Sequence, residues 1–244
     1  MQQITSKDEL LSLLKQRVAR PRATERFSTG VGALDDLAPD GTFQCGAIHE
    51  LLAAAVDPLP VSFALILARA AQQHHKRASD ALVAWSDPAH EIYAPALAAG
   101  GLPLRGLVLL RPRKALDELR IVMECLRCPG VAVTVATVGR LTRVEARRLQ
   151  LAAERGGGVG LLLRRFDARS SAIYAAATRW LVTPAPGNEQ CQRWSVELMH
   201  GHGGRVGESV LLEVDRESSQ VHAVRPFATL ADRPLKATPR RATA

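Results

Sequence analysis

From residue 81 onward, short unbroken apolar runs alternate with stretches of helical periodicity, and this alternation constrains the fold more than any other feature. Residues 81–85, 107–110 and 159–163 are apolar on both faces, and 131–138 is β-branched and strand-like. A strand written this way is buried on both sides, as in a parallel sheet covered by helices. Residues 60–77, 89–99, 114–126 and 142–155 lie between or beside them and read as helices. In the first, Phe63, Leu67, Ala70 and Ala71 share one stripe. In the last, Thr142 and Glu145 form a capping box and Gly156-Gly157-Gly158 provides the stop. Residues 45–52 supply one more strand ahead of this series. The predicted fold class is α/β, a mainly parallel, doubly wound sheet with helices on both faces. After residue 180 the runs 180–183, 193–199, 210–214 and 221–224 follow one another with no helix between them, which predicts an antiparallel C-terminal extension.

The 244 residues are 47% hydrophobic, enough for one main core. Three segments are expected: an N-terminal helical arm and linker over 1–26, the α/β core over 27–230, and a disordered basic tail over 231–244. In the arm, Ser6 caps a helix on which Leu10, Leu14 and Val18 share a face suited to a partner, and Pro21 ends it. The longest apolar run, 63–68, is far short of the ~20 residues that span a bilayer, so no membrane partner is expected. The N-terminus carries acids and leucines where a secretory signal carries a basic cluster and an apolar run, so the expected location is the cytoplasm. Lys and Arg total 32 against 24 acids, a net charge of +8 that permits a nucleic acid or an acidic protein as partner. Cys125 and Cys128 have C-x-x-C spacing, but no second pair accompanies them, and His200 and His202 lack a supporting ligand cluster. No metal and no cofactor is expected.

The connection after the 45–52 strand is where an open α/β sheet would hold a phosphate. A phosphate loop needs glycines, so that backbone N–H groups can approach, a Lys to neutralise charge, and a Ser or Thr to hold Mg²⁺. Residues 52–60 read Leu-Ala-Ala-Ala-Val-Asp-Pro-Leu-Pro, with no Gly and no Lys. Asp57 adds a negative charge, Pro58 and Pro60 each remove a donor, and Ser62 is the only hydroxyl nearby.

Ser28-Thr29-Gly30-Val31-Gly32-Ala33-Leu34-Asp35 and Gly46-Ala47-Ile48-His49-Glu50 resemble the opening of the RecA core. Asp87-Pro88-Ala89-His90 and Tyr93-Ala94 resemble the segment after its second strand, with Ala89 at the place of the water-activating glutamate. Ala136 and Thr137 stand where the Mg²⁺-binding aspartate would end a strand. The resemblance therefore implies a RecA-like fold without the ATPase, not an enzyme. Residues 147–155 (Arg-Arg-Leu-Gln-Leu-Ala-Ala-Glu-Arg), 160–164, 175–180 and 193–198 more closely resemble the ImuA family, RecA-like accessory proteins of bacterial mutagenesis cassettes. That resemblance spans about 10–225. It implies a role in SOS-induced, error-prone translesion synthesis and DNA repair, at the nucleoid after DNA damage. The implied partners are ImuB, an inactive Y-family polymerase relative, an error-prone replicative-type DNA polymerase and RecA, with DNA met directly or through them. A SulA-like division inhibitor acting on FtsZ, and an ATP-dependent DNA-binding protein, are the competing readings.

The basic residues that remain are Arg140, Arg143 and Arg147 at the start of the 142–155 helix, Arg164 and Arg165 after the 159–163 strand, and Arg240 and Arg241 in the tail. Arginines at a helix N-terminus oppose the macrodipole, and like charges four apart repel by about 0.2–0.5 kcal/mol, so helix stability does not account for them. An acidic partner or a nucleic-acid backbone would. Arg164 and Arg165 are expected in a short loop at a sheet edge, as solvated charges or phosphate contacts.

Overall fold

The computed structural model describes residues 25–75, 81–112, 115–166, 175–218 and 220–224. The arm residues Leu10, Leu14 and Val18 and the tail residues Arg240 and Arg241 lie outside the described residues. Eleven strands are described: β1 Arg26–Phe27, β2 Phe43–Gln44, β3 Ala47–Ala53, β4 Leu82–Ser86, β5 Leu107–Leu110, β6 Val131–Thr137, β7 Val159–Arg165, β8 Thr178–Ala185, β9 Cys191–Gly201, β10 Ser209–Asp215 and β11 Val221–Val224. The α-helices are α1 Gly32–Asp35, α2 Val61–His74, α3 Ala94–Ala99, α4 Ala115–Arg127 and α5 Arg143–Gly156. β1 and β2 pair as a small antiparallel ribbon that the sequence did not announce. The other nine strands form one sheet in the order β11-β10-β9-β8-β3-β7-β6-β4-β5.

The strands from β5 across to β8 run parallel. The expected antiparallel extension is present and begins at β9, because β8 itself runs parallel to β3. α2 packs over β6 and β7 on one face, while α4 and α5 pack on each other and on the opposite face. Phe63 and Leu67 of α2 meet Leu51, Val133, Val135, Leu161 and Leu163 in the first core. Leu149, Ala152 and Ala153 of α5 join Val122 and Leu126 of α4 over Ile48, Ala136 and Leu162 in the second. The doubly buried strands are thus the ones written without polar alternation. Among the described residues, no helix is long and apolar enough to cross a membrane.

Two helices are shorter than their sequence pattern. α2 stops at His74, and 76–80 lie outside the described residues. The 89–99 helix begins only at Ala94, because the buried Asp87 carboxylate accepts the N–H groups of Glu91 (2.7 Å) and Ile92 (3.2 Å), and His90 takes φ 59°. Those bonds hold 87–93 as a loop. α5 matches its signals. The Glu145 N–H donates to Thr142 Oγ1, and the Thr142 N–H donates to the Glu145 carboxylate. Gly157 ends the helix at φ 80°, a conformation that favours glycine.

Candidate cleft at the carboxyl ends of the strands

β3, β6 and β7 are neighbours with their carboxyl ends on one side of the sheet, so the turn after β3, residues 54–60, sits beside the ends of β6 and β7. A phosphate-binding turn directs N–H groups inward. Here the turn directs carbonyls. Arg165 Nη1 donates to the Ala54 carbonyl oxygen at 3.2 Å and also to that of Asp57. The Asp57 N–H is spent within the turn on Ala54, and Pro60 caps α2 with no side-chain hydrogen bond. Val56 at the tip is 93% exposed. A guanidinium held by two peptide oxygens is the electrostatic inverse of a triphosphate held by N–H groups.

β7 runs through Arg165, so Arg164 and Arg165 are strand residues and not loop residues. This corrects the expectation of a loop at a sheet edge for both, because β7 lies between β3 and β6 and its ladder continues to the Ala53–Arg165 pair, and of a solvated charge for Arg164, whereas Arg165 is exposed. Arg164 is 5% exposed. Its Nη1 donates to Glu50 at 2.7 Å and its Nε to the Gly139 carbonyl at 3.1 Å. The other Glu50 oxygen accepts from Arg179 Nε at 2.8 Å. Arg164, Glu50 and Arg179 thus link β7, β3 and β8 beneath the α4–α5 layer, two cations about one anion. The sequence reading missed Glu50 and Arg179 as a cluster. The available signal was a charged residue, Glu50, Arg164 or Arg179, inside each of three largely apolar strands.

On the α2 face, the next residue back along β3 makes a different network. His49 Nε2 donates to the Gln44 carbonyl at 2.9 Å, and Thr178 Oγ1 lies 2.7 Å from Nδ1. Trp180 Nε1 donates to the same hydroxyl at 2.7 Å, which leaves the hydroxyl proton for Nδ1. Burial pushes the His49 pKa down to about 4, only partly offset by the Gln44 hydrogen bond, and the imidazole is neutral.

The arginines expected together divide. Arg140, Arg164 and Arg165 line one cavity of about 350 Å³, with Leu59, Thr137 and Val138 among its walls. Arg143 and Arg147 lie further along α5 and do not line it. Arg147 is engaged on its own helix, donating to Gln150 at 2.7 Å, with Glu154 3.8 Å away. Asp87, at the end of β4, is buried and receives Arg111 Nε and Nη2 at 3.2 and 3.1 Å, so it holds its loop and that arginine in place. The four cysteines are free thiols, and no group of three His, Cys, Asp or Glu side chains is placed to hold a metal among the described residues.

No protein-family model matches the chain. It is 29% identical over 233 residues to Protein ImuA of Caulobacter vibrioides, in two strains, an alignment that covers 88% of this chain and 93% of the relative.

Proposed function

We propose that this chain is a member of the ImuA family, which that similarity supports, and serves the ImuA mutagenesis system as a non-catalytic adaptor in error-prone translesion synthesis. In this reading the sheet is a platform that joins an ImuB-like inactive polymerase relative to an error-prone replicative-type polymerase, with RecA or DNA reached at the damaged site. The observation that carries it is the turn after β3. Two of its carbonyl oxygens are engaged by Arg165, so the place where this kind of sheet binds phosphate presents acceptors to a cation. Ala89, Ala136 and Thr137 bring no carboxylate or general base to the neighbouring strand ends.

Two measurements test the adaptor role. A deletion strain should lose induced mutagenesis, regain it with the intact chain, and the purified chain should retain an ImuB-like partner in a pull-down. Failure to retain that partner, or ATP turnover above background by the purified chain, contradicts it. Cell filamentation on overexpression with unchanged induced mutation frequency would favour the SulA-like reading instead.

A further inference from the structure

The cavity at the ends of β6 and β7 gathers three guanidinium groups and no carboxylate among its described lining residues. Glu50, the anion nearest along the hydrogen-bond network, lies beneath Arg164 and is already shared with Arg179. Arg140 is exposed and makes no hydrogen bond or ion pair among the described residues. Arg165 engages the turn through Nη1, and Nε and Nη2 of its fork make no hydrogen bond among the described residues. Arg164 forms the floor, with its plane fixed by Glu50 and Gly139. The walls beside these cations are the aliphatic side chains of Leu59 and Val138.

We infer that this cleft binds an acidic segment of a protein partner, with an Asp or Glu carboxylate held between Arg140 and Arg165 and an adjacent apolar side chain against Leu59 and Val138. The inference rests on the adaptor reading and gives it a docking site. Planar guanidinium forks match a carboxylate bidentately, and an aliphatic wall next to them rewards a neighbouring apolar group. Three features favour this ligand over phosphate. The turn supplies carbonyl oxygens and two prolines where a nucleotide would need N–H groups. Neither Lys nor an acidic side chain for Mg²⁺ lines the cavity among the described residues. The cations converge on a hollow with a nearly buried floor, whereas a nucleic-acid backbone needs an open row of them. A single flexible carboxylate side chain enters such a hollow, and a sugar–phosphate chain does not.

The test uses the full chain, immobilised and panned with a random heptapeptide phage library. The expected result is enrichment of peptides that set Asp or Glu beside Leu, Ile or Phe. Arg140→Glu should lower their recovery about tenfold or more, the scale of one charge-assisted contact. Arg155→Glu makes the same charge change at the far end of α5, outside the cleft, and should leave recovery unchanged. Arg140 has no partner among the described residues, so its variant should keep the wild-type circular dichroism and melting temperature, which shows that the fold survives. The inference is overturned by enrichment without acidic residues, by equal loss with Arg155→Glu, or by elution of bound phage with millimolar ATP or an oligothymidylate. If the chain retains its ImuB-like partner but panning enriches nothing acidic, only the docking site is wrong. If panning succeeds and no such partner is retained, only the mutagenesis role is wrong.

Discussion

His49 and Glu50 are consecutive on β3 and both fully buried, but the two faces of the sheet accommodate them in opposite ways. On the α2 face the imidazole is neutral, and each ring nitrogen has one partner in a chain from Trp180 through Thr178 to Gln44. On the α4–α5 face the carboxylate sits between two guanidinium groups from the flanking strands. Neutralisation removes the cost of burying charge, and the His49 network ends within the core. Pairing keeps the charge and leaves a surplus of one cation, and the cluster reaches the cleft through Arg164. Burial alone therefore does not distinguish a packing device from a site. The sign and connectivity of the buried charge do.

The largest test of this contrast is Glu50→Ala. It strands one buried and one partly buried guanidinium group, and breaking a buried pair by removing one partner costs about 3–5 kcal/mol. Chemical denaturation should show that loss. The triple change Glu50→Leu, Arg164→Met, Arg179→Met should recover most of it, because apolar replacement of a whole buried ion cluster is often neutral or better. If Glu50→Ala is as stable as the wild type, the triad is not a buried charge cluster.

The next effect is the pH dependence set by His49. Its pKa falls from 6.5 in the unfolded chain to about 4 in the fold, first through burial, with the Gln44 hydrogen bond acting the other way. Between those values the unfolded state binds the proton more readily, so stability falls as pH drops from about 6.5 towards 4 and is fully present above 6.5. The size is about 3 kcal/mol across that window. Denaturation curves of the wild type and of His49→Gln at pH 7 and pH 4.5 isolate it. The variant should lose less stability between the two, and parallel losses would show that His49 is not held neutral. Trp180→Phe is a smaller change on the same face. It keeps the ring stack with Phe43 at 5.4 Å but removes the donor to Thr178, at a cost of about 1 kcal/mol.

Much of this architecture is legible in the sequence, since helix and strand periods are local. The apolar runs of β4 to β7 and the capping box of α5 are each written within a few residues. The absence of glycine and lysine after β3 is visible in the same way. The partners of the buried charges were not legible. Arg164 meets Glu50 across 114 residues, and His49 meets Thr178 across 129, distances over which no spacing rule operates. Arg164 was read as a loop residue because the apolar run stops at Leu163, although the backbone ladder continues two residues further. An ionisable residue within an apolar strand was the one usable signal, and it pointed to burial without naming a partner.

The smallest expected effect separates the rim of the cleft from its floor. Arg140 and Arg164 line the same cavity, but Arg140 is exposed and unpartnered among the described residues while Arg164 is tied to Glu50 and Gly139. Arg140→Ala should change stability by no more than about 0.5 kcal/mol, as surface substitutions away from structural features do. Arg164→Ala removes one of two counter-charges from a fully buried carboxylate and should fall in the Glu50→Ala range, several kcal/mol. Melting curves of the two variants side by side decide the matter. A large loss with Arg140→Ala would make the rim part of the folding core. Near-neutral behaviour for Arg164→Ala would mean that Arg179 alone satisfies Glu50, and the charge surplus that distinguishes the two faces would then not be built into the fold.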